Sequence, residues 1–459
     1  MTRSAWVNVT SDHEQMLQLS TASAGQRRVR DTPIAARVRF PGLDPALVAL
    51  PIIASLFNAQ LGPLTPLTII ASVGLISWLR WPRLPATVAR CWPIFALGLL
   101  VLISAVWSIE PRATLRYGTL YMITITLGIL IATAIDGRAL LSGLFVAFAI
   151  FNIAAVIFGR WVPLGISDTA FAGLSQSKNM AGQIAGFGLL ISVAALPQLV
   201  KARQRAMVIA AFVSIAATLL ILVISRSSGA QISTAVAGIT IILWFVFGRF
   251  SRQARTLLAI ILLLIAALAL ASWESWFEPL FQYILESTGK DPGLTGRDLL
   301  WQRADELIAQ RPWVGVGYGA FWRIGNLEAE GLWRYFGIAT RSGFNFHNTP
   351  REILVHLGYV GLAAYACVMG AGFFALVWRT IQAPNPTRIL FFAIALYLLF
   401  SLGFEVIGFN TMHFITVLGI AAVAKGLSPE VLDPAFDPRR RVERAGTQMR
   451  RTRHVPEFR

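Results

Sequence analysis

Charged residues are scarce in this chain. They make up 14% of its 459 residues, whereas hydrophobic residues make up 56%. A soluble domain carries roughly 25% charged residues. Apolar runs of about 20 residues recur along the sequence, and a helix of that length can cross a bilayer. The composition excludes an ordinary soluble enzyme and indicates an integral membrane protein whose helices satisfy their own backbone polar groups.

Cysteines and metal-binding motifs are also scarce. The only cysteines, Cys91 and Cys367, lie in or beside apolar runs. They form neither a disulfide framework nor a metal set, and we expect both to be buried. The sequence has no Asp-x-Asp pair and no cluster of histidines, cysteines or carboxylates with metal-ligand spacing. We therefore expect no metal ion and no cofactor, and a metal-dependent nucleotide-sugar mechanism is disfavoured.

The apolar runs predict an all-α integral membrane protein of about twelve spans. They cover residues 45–60, 62–80, 91–108, 116–135, 139–159, 180–198, 206–225, 228–248, 256–272, 352–378, 388–404 and 411–426. Residues 1–40 show no apolar stretch typical of a cleavable signal peptide, so we expect the first span to target the protein.

Lysine and arginine concentrate in the two tails and in the loops on the same side, which predicts that both termini are cytoplasmic. The chain then divides into a basic cytoplasmic tail (1–44), a transmembrane domain (45–426) and a second basic tail (427–459). The net charge of +17 is mainly a signal of topology. Attraction of the tails to anionic lipid is a simpler interpretation than binding to nucleic acid.

One loop is far longer than the others. Residues 273–351 lie between the ninth and tenth spans, on the predicted periplasmic side, and loops of this length are usually functional. The segment is rich in tryptophan: Trp273, Trp276, Trp301, Trp313, Trp322 and Trp333. These side chains can form an aromatic belt at the membrane surface or stack on sugar rings, and the sequence leaves both interpretations open.

The stretch "TGRDLLWQRADELIAQRP" predicts a helix within this loop. Thr295 and Asp298 have the spacing of a capping box, and Pro312 ends the pattern. Leu300, Ala304, Leu307 and Ile308 recur at helical spacing. Arg297 falls in the first turn, where a cation opposes the helix dipole unless an anion binds beside it. It is therefore a candidate phosphate ligand, the alternative being an ordinary surface arginine.

Two further cations lie at the ends of predicted spans on the same side. Arg226, in "SRSSGAQ", lies between two apolar runs, where ionisable residues are costly and tend to be functional. Lys178, beside Asn179 in "GLSQSKNMAG", lies at the outer entrance of the sixth span. Both are candidate phosphate ligands, and the alternative for each is a side chain that extends to the membrane surface.

His347 is one of five histidines, and it precedes the start of the tenth span in "HNTPRE". We expect Thr349 to cap this helix, Pro350 to be its first residue and Glu352 to complete a capping box. The positive helix end favours a neutral imidazole, which can act as a general base. The alternative is a capping or interfacial histidine.

Together these stretches resemble the superfamily of O-antigen ligases and Wzy-type polymerases, and within it the exopolysaccharide polymerases most closely. They are "GLSQSKNMAG" at 173–182, "SRSSGAQ" at 225–231, "TGRDLLWQRADELIAQRPWVGVGYGAFW" at 295–322 and "FHNTPREILVHLGYVGL" at 346–362. The resemblance covers roughly residues 170–430. It implies a GT-C-like membrane fold with a large periplasmic loop, in the inner membrane of a bacterium.

The resemblance also implies the chemistry. It implies an inverting, metal-independent transfer of an oligosaccharide from undecaprenyl diphosphate to a sugar hydroxyl on the periplasmic face. His347 would activate the acceptor hydroxyl, and Arg226, Arg297 and Lys178 would hold the diphosphate. Supporting positions would be Asn179, Asn348, Glu352 and His356. The chain departs from the family pattern at His356, where glutamate is frequent, and at Arg351, where an apolar residue is common.

Three functions remain open at this point. A polymerase would use a lipid-linked repeat unit as acceptor, whereas a ligase would use lipid A-core, and the resemblance favours a polymerase. A flippase and a chain-length regulator would be its partners. A lipid-glycan flippase or transporter is the alternative from another class, but the sequence shows neither an internal repeat nor the matched halves that are usual in transporters.

Overall fold

The computed structural model describes residues 42–163, 168–272, 297–341 and 343–428, and these residues are mainly helical. The helices are α1 (Leu43–Leu56), α2 (Asn58–Leu61), α3 (Leu64–Leu79), α4 (Leu84–Ile103), α5 (Pro111–Thr133), α6 (Gly137–Phe158), α7 (Lys178–Lys201), α8 (Arg205–Ile224), α9 (Ser228–Phe247), α10 (Arg252–Ala271), α11 (Arg297–Gln310), α12 (Leu327–Tyr335), α13 (Thr349–Gln382), α14 (Pro386–Ser401) and α15 (Phe414–Leu427). Short 3₁₀ turns at Trp81–Arg83 and Ser104–Val106 flank α4.

The predicted spans correspond to apolar helices. Each of the twelve predicted runs overlaps one of α1, α3 to α10 and α13 to α15. Within the described residues, six helical segments are long and apolar enough to cross a membrane: Trp81–Val106, α5, α6, α7, α8 and α13. Helices α1, α3, α14 and α15 and the Ser228–Trp244 part of α9 are apolar but shorter. The protein is thus a multi-pass, largely helical membrane protein, and the count of twelve spans stays a prediction.

A short antiparallel β-hairpin departs from the all-α prediction. Strands β1 (Arg160–Pro163) and β2 (Thr169–Gly173) pair between α6 and α7, with Trp161 opposite Phe171. The side chains of Ala170, Phe171 and Ala172 are buried, so the hairpin is packed against the bundle at the end of α7. β-branched and aromatic residues in this stretch favour the extended conformation.

The helices form one bundle whose two ends are defined by contacts between connections. At one end, Gln60 Nε2 donates to Leu174 O (2.6 Å) and Trp107 Nε1 donates to Val314 O (2.8 Å). We call this the loop end, because the described part of the long loop packs there. At the opposite end, the hydroxyl of Thr387 donates to Gly137 O (3.0 Å). Of the two cysteines, Cys91 is buried as expected, but Cys367 is exposed on α13, on the outside of the bundle.

The described part of the long loop has a hydrophobic core of its own. The four residues predicted to face inward from α11, Leu300, Ala304, Leu307 and Ile308, are buried there as expected from their helical spacing. They pack with Phe321, Trp333, Phe346 and Val355, so the loop is fixed to the first turns of α13. Trp333 is buried in this core whereas Trp313 is exposed, so these tryptophans do not form one belt. Trp273 and Trp276 lie outside the described residues.

Helix α13 is broken near its start. Gly358 has φ 63°, which ends a first helical part at Leu357 and starts the apolar part at Tyr359. The backbone groups freed by the break bond to the loop: Tyr359 N donates to Pro312 O (2.8 Å), and Val316 N donates to Val355 O (2.9 Å). A helix can break near a membrane only where protein satisfies these groups. The break separates a short helix at the loop end from the membrane-crossing part.

Candidate active site at the loop end

A largely buried carboxylate lies at the centre of the polar cluster at the loop end. The side chain of Glu405 is 15% exposed and comes from the connection between α14 and α15. One oxygen lies 3.6 Å from His347 Nδ1, and the other lies 3.7 Å from a guanidinium nitrogen of Arg297. Asn179 Nδ2 donates to Glu405 at 3.4 Å. Glu405 therefore joins three of the residues that the sequence singled out.

The backbone of His347 is held in a left-handed conformation. Its φ is 48°, which a residue other than glycine adopts at a cost of about 1–3 kcal/mol. The N–H of His347 donates to Asn345 Oδ1 (2.8 Å), the N–H of Phe346 donates to Glu352 (2.9 Å), and Trp301 Nε1 donates to Phe346 O (2.9 Å). These bonds stabilise the unusual conformation and aim the half-buried imidazole at Glu405.

The cap of α13 differs from the prediction by one residue. Asn348, not Thr349, is the N-cap, and its side chain accepts from Arg351 N (2.9 Å). Asparagine caps a helix as well as threonine does. The hydroxyl of Thr349 is engaged elsewhere: it donates to Glu405 O (2.7 Å) and accepts from Ile407 N (2.9 Å). The start of α13 thereby fixes the segment that carries Glu405 beside His347.

Glu352 does not complete a capping box as predicted. Its buried carboxylate accepts from Trp322 Nε1 (3.1 Å) as well as from Phe346 N, because the chain before the helix folds back over the first turn. His356 Nε2 lies 3.3 Å from the same carboxylate, and His356 Nδ1 accepts from Gly319 N (2.8 Å). Glu352 and His356 are thus internal supports of the segment that carries His347.

Arg297 is the first described residue of α11, and its side chain points to the same cluster. The guanidinium is 19% exposed and donates to Phe404 O at 3.0 Å. Burial lowers the pKa of Arg297, and the charge of Glu405 opposes that shift. An arginine remains protonated even so, so a positive charge is held at the start of α11. The predicted cap, Thr295, lies outside the described residues.

Asn179 connects the cluster to the turn that carries Arg226. Ser227 Oγ donates to Asn179 Oδ1 at 3.3 Å, and both residues are close to the ends of neighbouring helices. The first turn of α7 packs tightly here, since a Cβ on Gly182 would lie 2.9 Å from Cβ of Ser227. The polar chain Ser227–Asn179–Glu405 therefore brings the turn between α8 and α9 to the site.

Arg226 itself does not bond to this cluster. Its side chain is 52% exposed and forms an ion pair with Asp168, the residue before β2. The pKa of the Asp168 carboxyl is lowered, first by the backbone N–H of Thr169, then by Arg226, with a further contribution from Lys178. Lys178 and Arg226 therefore share an acidic neighbour, and the joint binding of one diphosphate by Arg226 and Arg297 stays a prediction.

Sequence reasoning missed Glu405 and Asp168. A signal for Glu405 was present in the sequence. The residue stands in "SLGFEVIGFN" between two apolar spans, where an ionisable side chain is energetically costly and usually has a function. Asp168 carried no comparable signal, because it lies in a polar loop where a carboxylate needs no partner.

The structure thus defines a class: a multi-pass helical membrane protein with a histidine, a glutamate and an arginine gathered at one end. Residues 210–366 match the family described as O-Antigen ligase. Over 305 residues the chain is 30% identical to the exopolysaccharide production protein ExoQ of Rhizobium meliloti (strain 1021), an alignment that covers 66% of this chain and 69% of that protein. The chain belongs to the O-antigen ligase family. Arg226, Arg297 and His347 fall within the matched residues, whereas Asn179 and Glu405 do not.

Proposed function

We propose that this protein is an inverting glycosyltransferase that polymerises exopolysaccharide or O-antigen repeat units at the periplasmic face of the inner membrane. The donor is an oligosaccharide on undecaprenyl diphosphate, the acceptor is a sugar hydroxyl, and no metal ion takes part. The observation that supports this most strongly is the cluster of Arg297, Glu405 and His347. In this proposal Arg297 is the cation for the diphosphate and His347 is the base for the hydroxyl.

In this proposal His347 is the general base. Its Nδ1 faces the Glu405 carboxylate, so a proton on Nδ1 points to the carboxylate and Nε2 keeps its lone pair. Nε2 takes the proton of the acceptor hydroxyl while the hydroxyl oxygen attacks the anomeric carbon of the donor. The bond from that carbon to the diphosphate oxygen breaks, and the diphosphate leaves with the electron pair. Attack opposite the leaving group inverts the anomeric centre.

The leaving diphosphate needs positive charge, and the loop end supplies it from several elements. Arg297 is largely buried next to the proposed base, and an arginine fork suits phosphate oxygens. Arg226, in the turn between α8 and α9, and Lys178, at the start of α7, both lie near Asp168. We propose that Arg297 binds the phosphate next to the reacting sugar and that Arg226 and Lys178 attract the lipid diphosphate to the site.

The acceptor distinguishes a polymerase from a ligase. The similarity to an exopolysaccharide production protein supports a polymerase, and the name of the matched family keeps transfer to lipid A-core as a second candidate. We propose further that a flippase and a chain-length regulator are partners and that both termini are cytoplasmic.

Gel analysis of polysaccharide from a deletion strain tests the assignment. Loss of long chains with single repeat units retained is expected for a polymerase. Full-length chains left on the carrier lipid would identify a ligase instead. If purified protein moves a lipid-linked glycan across vesicles without changing its length, the enzyme assignment is wrong and a flippase is the answer.

A further inference from the structure

A groove of about 610 Å³ runs along the solvent side of α11, next to the proposed active site. Its lining is Asp298, Trp301, Gln302, Asp305, Glu306, Ala309 and Arg351. All but Arg351 lie on α11 at spacings of one, three and four residues, which place them on one face of the helix. The opposite face carries the buried apolar residues. The groove is therefore formed by a helix whose position is fixed by its own core.

Three side chains of the groove, Trp301, Asp305 and Arg351, contact one another. Both oxygens of Asp305 accept from the Arg351 guanidinium, at 2.8 and 3.0 Å, and the guanidinium lies over the Trp301 ring with its central carbon 5.1 Å from the ring centroid. Such forked bonds and cation–π contacts hold planar groups in place. The groove thus offers an aromatic side chain beside several hydrogen-bonding groups, as an open site for a polar organic ligand requires.

Two residues of the groove form hydrogen bonds to the segment that carries the proposed base. Trp301 Nε1 donates to Phe346 O, the carbonyl directly before His347, and Arg351 N donates to the Asn348 cap directly after it. From Asp298 to Ala309 the groove follows α11 for about 16 Å, at 1.5 Å per residue. A ligand of a few sugar rings laid along it would have one end beside His347.

The charge of the groove differs from that of the phosphate-binding region. The lining holds three carboxylates, Asp298, Asp305 and Glu306, and one guanidinium, Arg351. Arg303, from beside the groove, pairs with Glu306 and also with Glu328. The lining thus stays acidic and repels a diphosphate, whereas Arg297, Arg226 and Lys178 attract one.

We propose that this groove, the α11 groove, binds the sugar residues of a glycan substrate, and that it accepts neutral or amine-bearing sugars rather than acidic ones. The proposal rests on the proposed function, because His347 is the chemical centre toward which the groove leads. Sugar rings pack beside the Trp301–Arg351 pair, and their hydroxyls donate to the carboxylates and bond to Gln302. The donor and the acceptor are both glycans, so the test must separate them.

A matched pair of variants on one helix tests the groove. Gln302→Ala removes a polar group inside the groove, and Gln310→Ala removes the same group from an exposed position outside it. Ala309→Trp fills the groove and changes no hydrogen bond of the cluster. The probe is a set of neutral oligosaccharides released by partial hydrolysis from the strain's own polysaccharide, titrated into purified full-length protein by calorimetry.

We expect Gln302→Ala to raise the dissociation constant about threefold to tenfold, as for one lost hydrogen bond, and Gln310→Ala to leave it unchanged. Ala309→Trp should weaken binding more strongly. Transfer assays then assign the glycan: a raised KM for the acceptor or for the lipid-linked donor identifies which one occupies the groove. Wild-type affinity in both Gln302→Ala and Ala309→Trp, or no binding by the wild type, would overturn the proposal. Because the readout is binding, that result leaves the glycosyltransferase assignment intact if His347→Ala still abolishes transfer.

Discussion

The carboxylate of Glu405 lies 3.6 Å from Nδ1 of His347, although the two residues belong to different connections of the bundle. The other oxygen of the same carboxylate lies 3.7 Å from the Arg297 guanidinium. Glu405 is thus shared between the proposed base and the proposed phosphate ligand. A diphosphate bound to Arg297 would compete for that guanidinium and leave the carboxylate to His347. We therefore predict that binding of the donor and orientation of the base are coupled.

Glu405→Gln tests this coupling, because it keeps the side-chain shape and removes the charge. We expect kcat to fall by a factor between about 10 and 10⁴, as when the carboxylate behind a catalytic histidine is neutralised. Binding of undecaprenyl diphosphate should be unchanged or tighter, because a negative charge beside Arg297 is lost. Equilibrium binding and single-turnover transfer measure the two effects separately. Glu110→Gln, an exposed position at the loop end, is the control. Parallel losses of binding and kcat would mean that Glu405 only maintains the fold.

His347 is tested by two substitutions that separate chemistry from backbone strain. His347→Ala should lower the transfer rate by roughly 10²–10⁴ because the base is lost. Asparagine tolerates the left-handed conformation better than alanine does, so His347→Asn should keep the thermal stability of the wild type and still be inactive. Near-normal polymer length in a strain carrying His347→Asn would rule out the histidine as general base.

The sequence was sufficient to predict a largely helical membrane protein, because long apolar runs are the direct signal of helices that cross a bilayer. It also predicted the inward face of α11, where helical spacing leaves little choice for Leu300 and Ile308. It could not predict the break at Gly358, because that conformation depends on carbonyl groups of Pro312 and Trp313, which are distant in the chain.

The candidate site was predictable only in part, for the same reason. His347 and Arg297 were found from their places at helix starts, which are local signals. Both side chains approach Glu405. The position of Glu405 is fixed by the hydrogen bonds of Thr349 to the connection before α15. The pairing of Arg226 with Asp168 likewise depends on the β-hairpin, and the sequence pattern for twelve helices gave no indication of it.

The two arginines should respond differently to replacement by lysine. Arg297→Lys should strongly impair transfer, because a lysine keeps the charge but lacks the fork that bonds both to Phe404 O and toward Glu405. Arg226→Lys should also reduce transfer, but less, because its exposed side chain acts in a solvated position where charge matters more than shape. The measurement is kcat/KM for the lipid-linked donor. Full activity of both lysine variants would contradict a role for the arginine forks.

Asp168→Asn should release Arg226 for the donor. The pKa of Asp168 is lowered below its ordinary value, so its ion pair is intact above that value and is lost only as the pH falls through the lowered pKa. At neutral pH the wild type therefore keeps Arg226 paired. We expect the variant to have an equal or lower KM for the donor, with the largest gain at low ionic strength, where exposed charges are least screened. A clearly raised KM would show that Asp168 itself contributes to donor binding.

The break in α13 gives the last prediction. A Cβ on Gly358 would lie 2.2 Å from the carbonyl carbon of Trp313, and φ is 63° at this position. Gly358→Ala must therefore push the 312–316 segment away or change the backbone, and we expect a loss of about 2–4 kcal/mol in stability.

Gly370 lies in the same helix with no atom near its Cβ position, so Gly370→Ala should be neutral or slightly stabilising. Thermal unfolding in detergent compares the two. Because the displaced segment leads directly to Gly319 and Trp322, which bond to His356 and Glu352, transfer should fail in Gly358→Ala even at temperatures where the protein stays folded. An active Gly358→Ala variant with wild-type stability would show that α13 runs through this point without a break.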